Sequence, residues 1–266
     1  MNNQYVGDIG DYIKYVLLKT IIEAESKKKL GVAWYLTPDD GGSDGRHTGY
    51  LHAPEKWQFL DEKVFDALRE LVCCNNVRSV VEVKKKFLER KILPESTVFF
   101  DEELPHGKGK SEYREKWFTR LQKHLKDCDI IFADPDNALV NPCEGKSFSQ
   151  KHITLQEAIA LVKSPKHIGI FYHHFAHTDN KEQIQNWCKS LSRECPSEKG
   201  GAKVMALHWR IISPRAFFIV NPTPPIKEKL IELRGKGAKL LNSKKMKSIE
   251  LYGLDNKRFG VIKNPA

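Results

Sequence analysis

Residues 31–45 read GVAWYLTPDDGGSDG, a short apolar run from Gly31 to Leu36 that empties into a turn dense in Asp and Gly. Bounded on its other side by the Lys27 to Lys29 charges, the run reads as a buried strand whose carboxyl end carries a polar loop. Upstream, Tyr12 to Glu25 (YIKYVLLKTIIEAE) spaces its apolar residues at helical intervals without Gly or Pro. Downstream the alternation repeats. Asp61 to Cys73 reads as a helix with an N-cap candidate, Val77 to Val83 alternates like a strand, and Val98 to Phe100 is another short strand. Ser111 to Leu125 is helical, and Asp129 to Ala133 (DIIFA) is a strand that stops at Asp134-Pro135-Asp136-Asn137. A helix over Thr154 to Lys163, a strand over Ile168 to His173 and a helix over Lys181 to Leu191 follow. Val204 to Arg210 and Ala216 to Val220 are close enough in sequence to pair antiparallel, and a last helix comes after them. Strands separated by helices of this length imply crossover connections, hence an α/β fold with a mainly parallel sheet and helices on both faces. One domain over 1–235 is expected, with loop excursions at Arg46 to Trp57 and Pro142 to Lys151, and 236–266 as a basic extension packed on it.

Composition narrows the class. The 266 residues carry 44 Lys and Arg against 34 Asp and Glu, a formal charge of +10, and 40% of them are hydrophobic. That is enough for a buried core and excludes global disorder. No stretch approaches the ~18 consecutive apolar residues of a membrane span. The start, MNNQYVGDIGDY, lacks the basic and apolar regions of a secretory signal, so the expectation is a cytoplasmic protein without a membrane partner. Its six Cys show no CxxC spacing and read as reduced thiols. The basic surplus points to a polyanionic partner, RNA or DNA.

Ligands of open parallel sheets bind beyond the carboxyl ends of the strands, where strand order reverses. Three such ends carry polar clusters. The first offers Thr37, Asp39, Asp40, Gly41, Gly42 and Gly45, a set in which Gly lets backbone approach a ligand and Asp can hold its hydroxyls. The second offers Asp134, Asp136 and Asn137. The third offers His173, His174 and His177, of which His173 is taken as a hydrogen-bond donor or base. Because adjacent side chains of a strand face opposite ways and no Cys lies at zinc spacing, no metal site is assigned. Asp136, Glu144 and Lys146 match the order PD…ExK of metal-dependent nucleases, but Pro142, Cys143 and Gly145 make that stretch read as loop rather than as the required hairpin.

These residues resemble a family, the large-subunit ribosomal RNA adenine-N6 methyltransferases of the J type. Gly7 to Leu18 (GDIGDYIKYVLL) is similar to the family's opening GNxADVLKHxxL, and Thr37 to Leu51 to its THAGAG loop with a following TGEY segment. Asp134 to Asn137 falls where the family has Asp-Pro-Pro-Tyr, and Phe217 to Pro222 (FFIVNP) looks like its late strand ending VINPP. A bacterial group sharing TPDDGGSDG and DPDN is also similar and implies no activity. The family resemblance implies a Rossmann-like fold and S-adenosylmethionine as cofactor, with Lys14 and the loop from Asp39 to Gly45 beside it and Asp134 accepting hydrogen bonds from the target amine. Asn137 replaces the aromatic residue that stacks on a flipped base, and Asp136 replaces a Pro.

Methyl transfer to a nucleic-acid base or related nucleophile is therefore the leading expectation, with Asp134, Asp136, Asn137 and His173 as catalytic candidates. The alternatives are a metal-dependent nuclease built on Asp134 and Asp136, and a non-catalytic nucleic-acid-binding relative.

Overall fold

The apolar run Leu30–Trp34 forms β1, and all five of its residues are buried because helices cover both faces of the strand. The computed structural model describes residues 1–39, 41–42, 44–104, 110–144, 149–175, 179–197, 201–240 and 248–253. Eight further strands follow in chain order: β2 (Val98–Phe100), β3 (Ile130–Asp134), β4 (Leu139–Val140), β5 (Ile153–Thr154), β6 (Ile168–His174), β7 (Val204–Trp209), β8 (Arg215–Val220) and β9 (Ile249–Tyr252). The helices are α1 (Ile9–Ala24), α2 (Pro54–Trp57), α3 (Glu62–Arg69), α4 (Val80–Glu89), α5 (Lys110–His124), α6 (Leu155–Leu161), α7 (Asn180–Glu194) and α8 (Pro224–Gly237).

Seven strands make the main sheet in the order β2-β1-β3-β6-β8-β7-β9, while β4 and β5 pair separately. From β2 to β6 the pairing is parallel, and β8, β7 and β9 complete the sheet antiparallel. After β1 the chain steps outward to β2 and then returns to lay β3 on the other side, so strand order reverses between β1 and β3. Register aligns Trp34 with Asp134, which brings the two strands to their carboxyl ends side by side.

Alternation sorts the core into two layers. Val32, Trp34, Ile130, Phe132, Phe217 and Ile219 face α1, α3, α4 and α8, whereas Ala33, Ile131, Ala133, Phe171 and Phe218 face α5, α6 and α7. The mainly parallel sheet, the helices on both faces and the antiparallel pair near the end agree with the sequence reading.

One expectation is corrected. Val77 to Val83 is not a strand, because the Ser79 side chain accepts from Glu82 N and starts α4. Val80, Val83 and Phe87 are then buried at helical spacing while Val81 is exposed. Among the described residues the segment from 236 joins the body of the fold, since α8 runs through Gly237 and Ile249–Tyr252 pair with β7 as the edge of the main sheet. Residues 241–247 and 254–266 of that expected extension lie outside the described residues.

Leu251, 2% exposed in the layer shared with Leu207 and Leu233, tests this placement. Leu251→Ala is expected to cost about 2–5 kcal/mol in urea unfolding, as for a core leucine; a change near zero would return the segment to the status of an appendage.

Candidate active site

Helix α1 begins where Asp8 caps it, its carboxylate accepting from Gly10 N at 2.9 Å and, across the chain, from His47 N at 3.0 Å. Asp11 and Lys14 follow one turn apart on the face turned toward the sheet. Lys14 Nζ donates to Asp11 Oδ1 and to Asp134 Oδ2, both at 2.7 Å, and all three side chains are buried. The helix is thereby tied to the end of β3 across 120 residues of sequence.

The turns that leave β1 and β3 meet. Tyr35 N donates to Asp134 O at 3.3 Å, and the Thr37 hydroxyl donates to Asp136 Oδ2. Between them sits Met1, whose α-ammonium donates to Tyr35 O at 3.0 Å and Asp134 O at 3.2 Å and ion-pairs with Asp136 Oδ1. Thr37 N in turn donates to Met1 O at 3.0 Å. Beside this crossing lies a cavity of about 190 Å³, lined among others by Met1, Asp8, Asp11, Lys14, Asp134, Asp136, Asn137, Tyr172 and Arg215.

Of the residues singled out in the sequence, Lys14, Gly45, Asp134, Asp136 and Asn137 line the cavity, and Thr37 braces it from behind through Asp136. The glycine turn mostly leaves it. Asp39 is exposed and accepts from Gln4 N at 3.3 Å, Gly41 and Gly42 are exposed, and Asp40 lies outside the described residues. The turn comes back at Asp44 and Gly45; the latter has φ +76°, and a Cβ there would stand 2.4 Å from Gln4 O, so only Gly fits.

His173 does not belong to the cavity. It points to the opposite face of β6, where it meets Gln183 at 3.3 Å and packs on Trp187 and Phe218, while Tyr172 and His174 on either side face the cavity. A strand's two-residue period dictates this split, and the neighbouring Phe132 and Phe171 layers would have identified the correct pair. His177 and Lys146 lie outside the described residues. Sequence reasoning also missed Asp8, Asp11 and Arg215. The first two had a readable signal, the i, i+3, i+6 spacing of Asp8, Asp11 and Lys14 on one helix face; Arg215 had none.

Five carboxylates, those of Asp8, Asp11, Asp44, Asp134 and Asp136, face this space with Lys14 and Arg215. Burial favours neutral Asp11, Lys14 favours its ionised form, and Asp134 again disfavours a second negative charge; the balance raises Asp11 to about 6. Burial alone would lower the Lys14 pKa, but Asp11 and Asp134 outweigh it and hold the ammonium charged. Burial followed by the Arg215 cation lowers the His174 pKa, which keeps that ring neutral. Among the described residues no group of three or more His, Cys, Asp and Glu is arranged as a metal site.

Two outcomes are expected. Lys14→Met leaves two buried carboxylates without their cation and costs about 3–5 kcal/mol. Asp11 ionises near 3.8 when unfolded and near 6 when folded, so its contribution to stability falls as pH rises from about 4 to about 6 and is flat above. Urea midpoints across that window should lose this part of their slope in Asp11→Asn; an unchanged slope would place the raised carboxyl elsewhere. No family model and no curated protein matches the chain. Among solved structures it is similar to protein LPL1258 from Legionella pneumophila str. Philadelphia 1, of family-model DUF519, at 12% identity and a TM-score of 0.50 over 93% of this chain and 97% of that one, a likeness of fold.

Proposed function

We propose that the protein transfers a methyl group from S-adenosylmethionine to an amine nitrogen of a nucleic-acid base or a related nucleophile. The supporting observation is the set of acceptors at the strand-order reversal: Tyr35 O, Asp134 O and Asp136 Oδ1 surround one amine nitrogen, that of Met1. A neutral acceptor amine placed there has two N–H groups for these three oxygens, so one direction is left to its lone pair for attack, which is catalysis by orientation. The basic surplus of +10 supports a polyanionic substrate.

The lining suits the cofactor's charge, since carboxylates outnumber cations around the cavity and the ligand carries sulfonium and ammonium groups. The volume is smaller than the roughly 300 Å³ at which small-molecule sites begin. With Met1 seated, about 190 Å³ takes part of the cofactor, and the whole of it requires Met1 to leave the crevice. Asp44 would hold its cationic end, and bound there it supplies an electrophilic methyl group.

The chain's own groups do the rest. Lys14 holds the Asp134 carboxylate in place, and of the acceptor's two N–H groups one donates to a backbone oxygen, Tyr35 O or Asp134 O, and the other to Asp136 Oδ1. Asp136 Oδ1 takes the proton that the nitrogen releases on alkylation, while Thr37 donates to its other oxygen.

Calorimetry with S-adenosylhomocysteine and transfer of labelled methyl to RNA or DNA test the reading. Asp136→Asn is expected to lower transfer by about 10²–10⁴-fold while leaving cofactor-product binding within about threefold. Absence of binding by the wild-type protein, with and without nucleic acid, would sink the proposal.

A further inference from the structure

Arg215 is 6% exposed, yet its guanidinium is only partly engaged. Nε donates to Ser213 O at 3.0 Å, and Nη2 stands 3.6 Å from Asp8 Oδ1, beyond hydrogen-bond range. That carboxylate already accepts from the backbone N–H groups of Gly10 and His47. Among the described residues no other group bonds the two Nη nitrogens, although the side chain lines the cavity. These donors open onto the cavity, so an oxygen of a bound ligand can accept from them there.

Its position is built from two sides. The Cζ lies 5.9 Å from the centre of the Tyr172 ring, and on the other side α1 offers Gly10, where a Cβ would fall 1.3 Å from Nη1. Gly at this second residue of a helix is disfavoured by conformational entropy, and the guanidinium is what occupies the space it leaves. The turn before the strand is strained to match. Ile212 and Ser213 both have positive φ, 47° and 59°, conformations that non-glycine residues rarely adopt in succession, and this directs Ser213 O onto Nε.

We infer that Arg215, seated over Gly10 and held by the strained Ser213 turn, is the oxyanion anchor of the cavity, receiving a carboxylate or phosphate of the bound ligand on its free Nη donors. It makes the cavity bipolar, acidic where an amine or sulfonium binds and cationic where the ligand's oxyanion binds. Under the methyl-transfer reading, on which only the identity of the ligand rests, the oxyanion is either the α-carboxylate of the cofactor or a phosphate of the acceptor. A fork of guanidinium donors accommodates both.

Two ligand pairs separate the sources: S-adenosylhomocysteine against its decarboxylated analogue S-adenosyl-3-thiopropylamine, which keeps the ammonium and lacks the carboxylate, and adenosine 5′-monophosphate against adenosine. In titration calorimetry the wild-type protein is expected to prefer the oxyanion-bearing member of one pair by about ten- to a hundredfold, the range of a hydrogen bond to a charged group. Arg215→Gln should abolish that preference and leave the oxyanion-free member unchanged. Gly10→Ala supplies a variant that keeps the charge. It pushes the guanidinium aside while favouring the helix, so it should lose the same preference with a Tm no lower than wild type. A preference that survives both substitutions, or a wild-type protein without preference in either pair, overturns the inference. Preference for the monophosphate without any binding of S-adenosylhomocysteine would keep the anchor and overturn the methyl-transfer reading instead.

Discussion

The ammonium of Lys14, gripped at 2.7 Å by Asp11 on its own helix and by Asp134 at the end of β3, is the contact on which the crevice depends. Helix α1 otherwise meets the sheet through apolar side chains, which set its distance but tolerate sliding. A buried ion pair is directional, and its members cannot separate without stranding a charge in a medium that solvates it poorly. The pair therefore fixes the rotation of α1, and with it the direction in which Asp8 and Gly10 face. Burial first, and then the negative charge of Asp134 beyond the one that Lys14 offsets, makes Asp11 hold its proton to higher pH.

From that contact the chemistry of the crevice follows by geometry. Register places Asp134 beside Trp34, so the turns that leave β1 and β3 start level and meet within two or three residues, at Thr37 and Asp136. Helix α1 roofs them with Asp8 and Asp11, and β8 closes the far wall with Arg215, next to His174 in the sheet. Four separate segments thus contribute charge to a volume of about 190 Å³. Acidic groups gather toward the strand ends of β1 and β3 and the guanidinium toward β8, an asymmetry suited to a ligand that carries both signs of charge.

Much of this was legible from the chain. The apolar runs at 31–36, 130–133 and 168–173 are continuous because both faces of each strand are covered, and a continuous run bounded by turn residues has one ready reading. The Asp134 to Asn137 tetrapeptide was identifiable as a strand-end cluster for the same reason. Val77 to Val83 misled because the bare alternation of apolar residues ignored Ser79, whose hydroxyl starts a helix there. At the third strand end, choosing His173 over Tyr172 and His174 amounted to a one-residue error, which in a strand exchanges one face of the sheet for the other.

By itself the sequence determined the class of fold, most of its strands and helices and the two turns that carry carboxylates, since hydrophobic period and turn chemistry are local properties, while Lys14 was reached through the family resemblance. Only the tertiary structure decided that Asp11 and Lys14 close on Asp134, that the glycine turn mostly faces solvent, that Ile249–Tyr252 completes the sheet, and that Arg215 reaches the cavity over Gly10. Each of these is a contact between residues far apart in the chain, set by strand register and by which face of an element meets its neighbour, and no local pattern records such pairings.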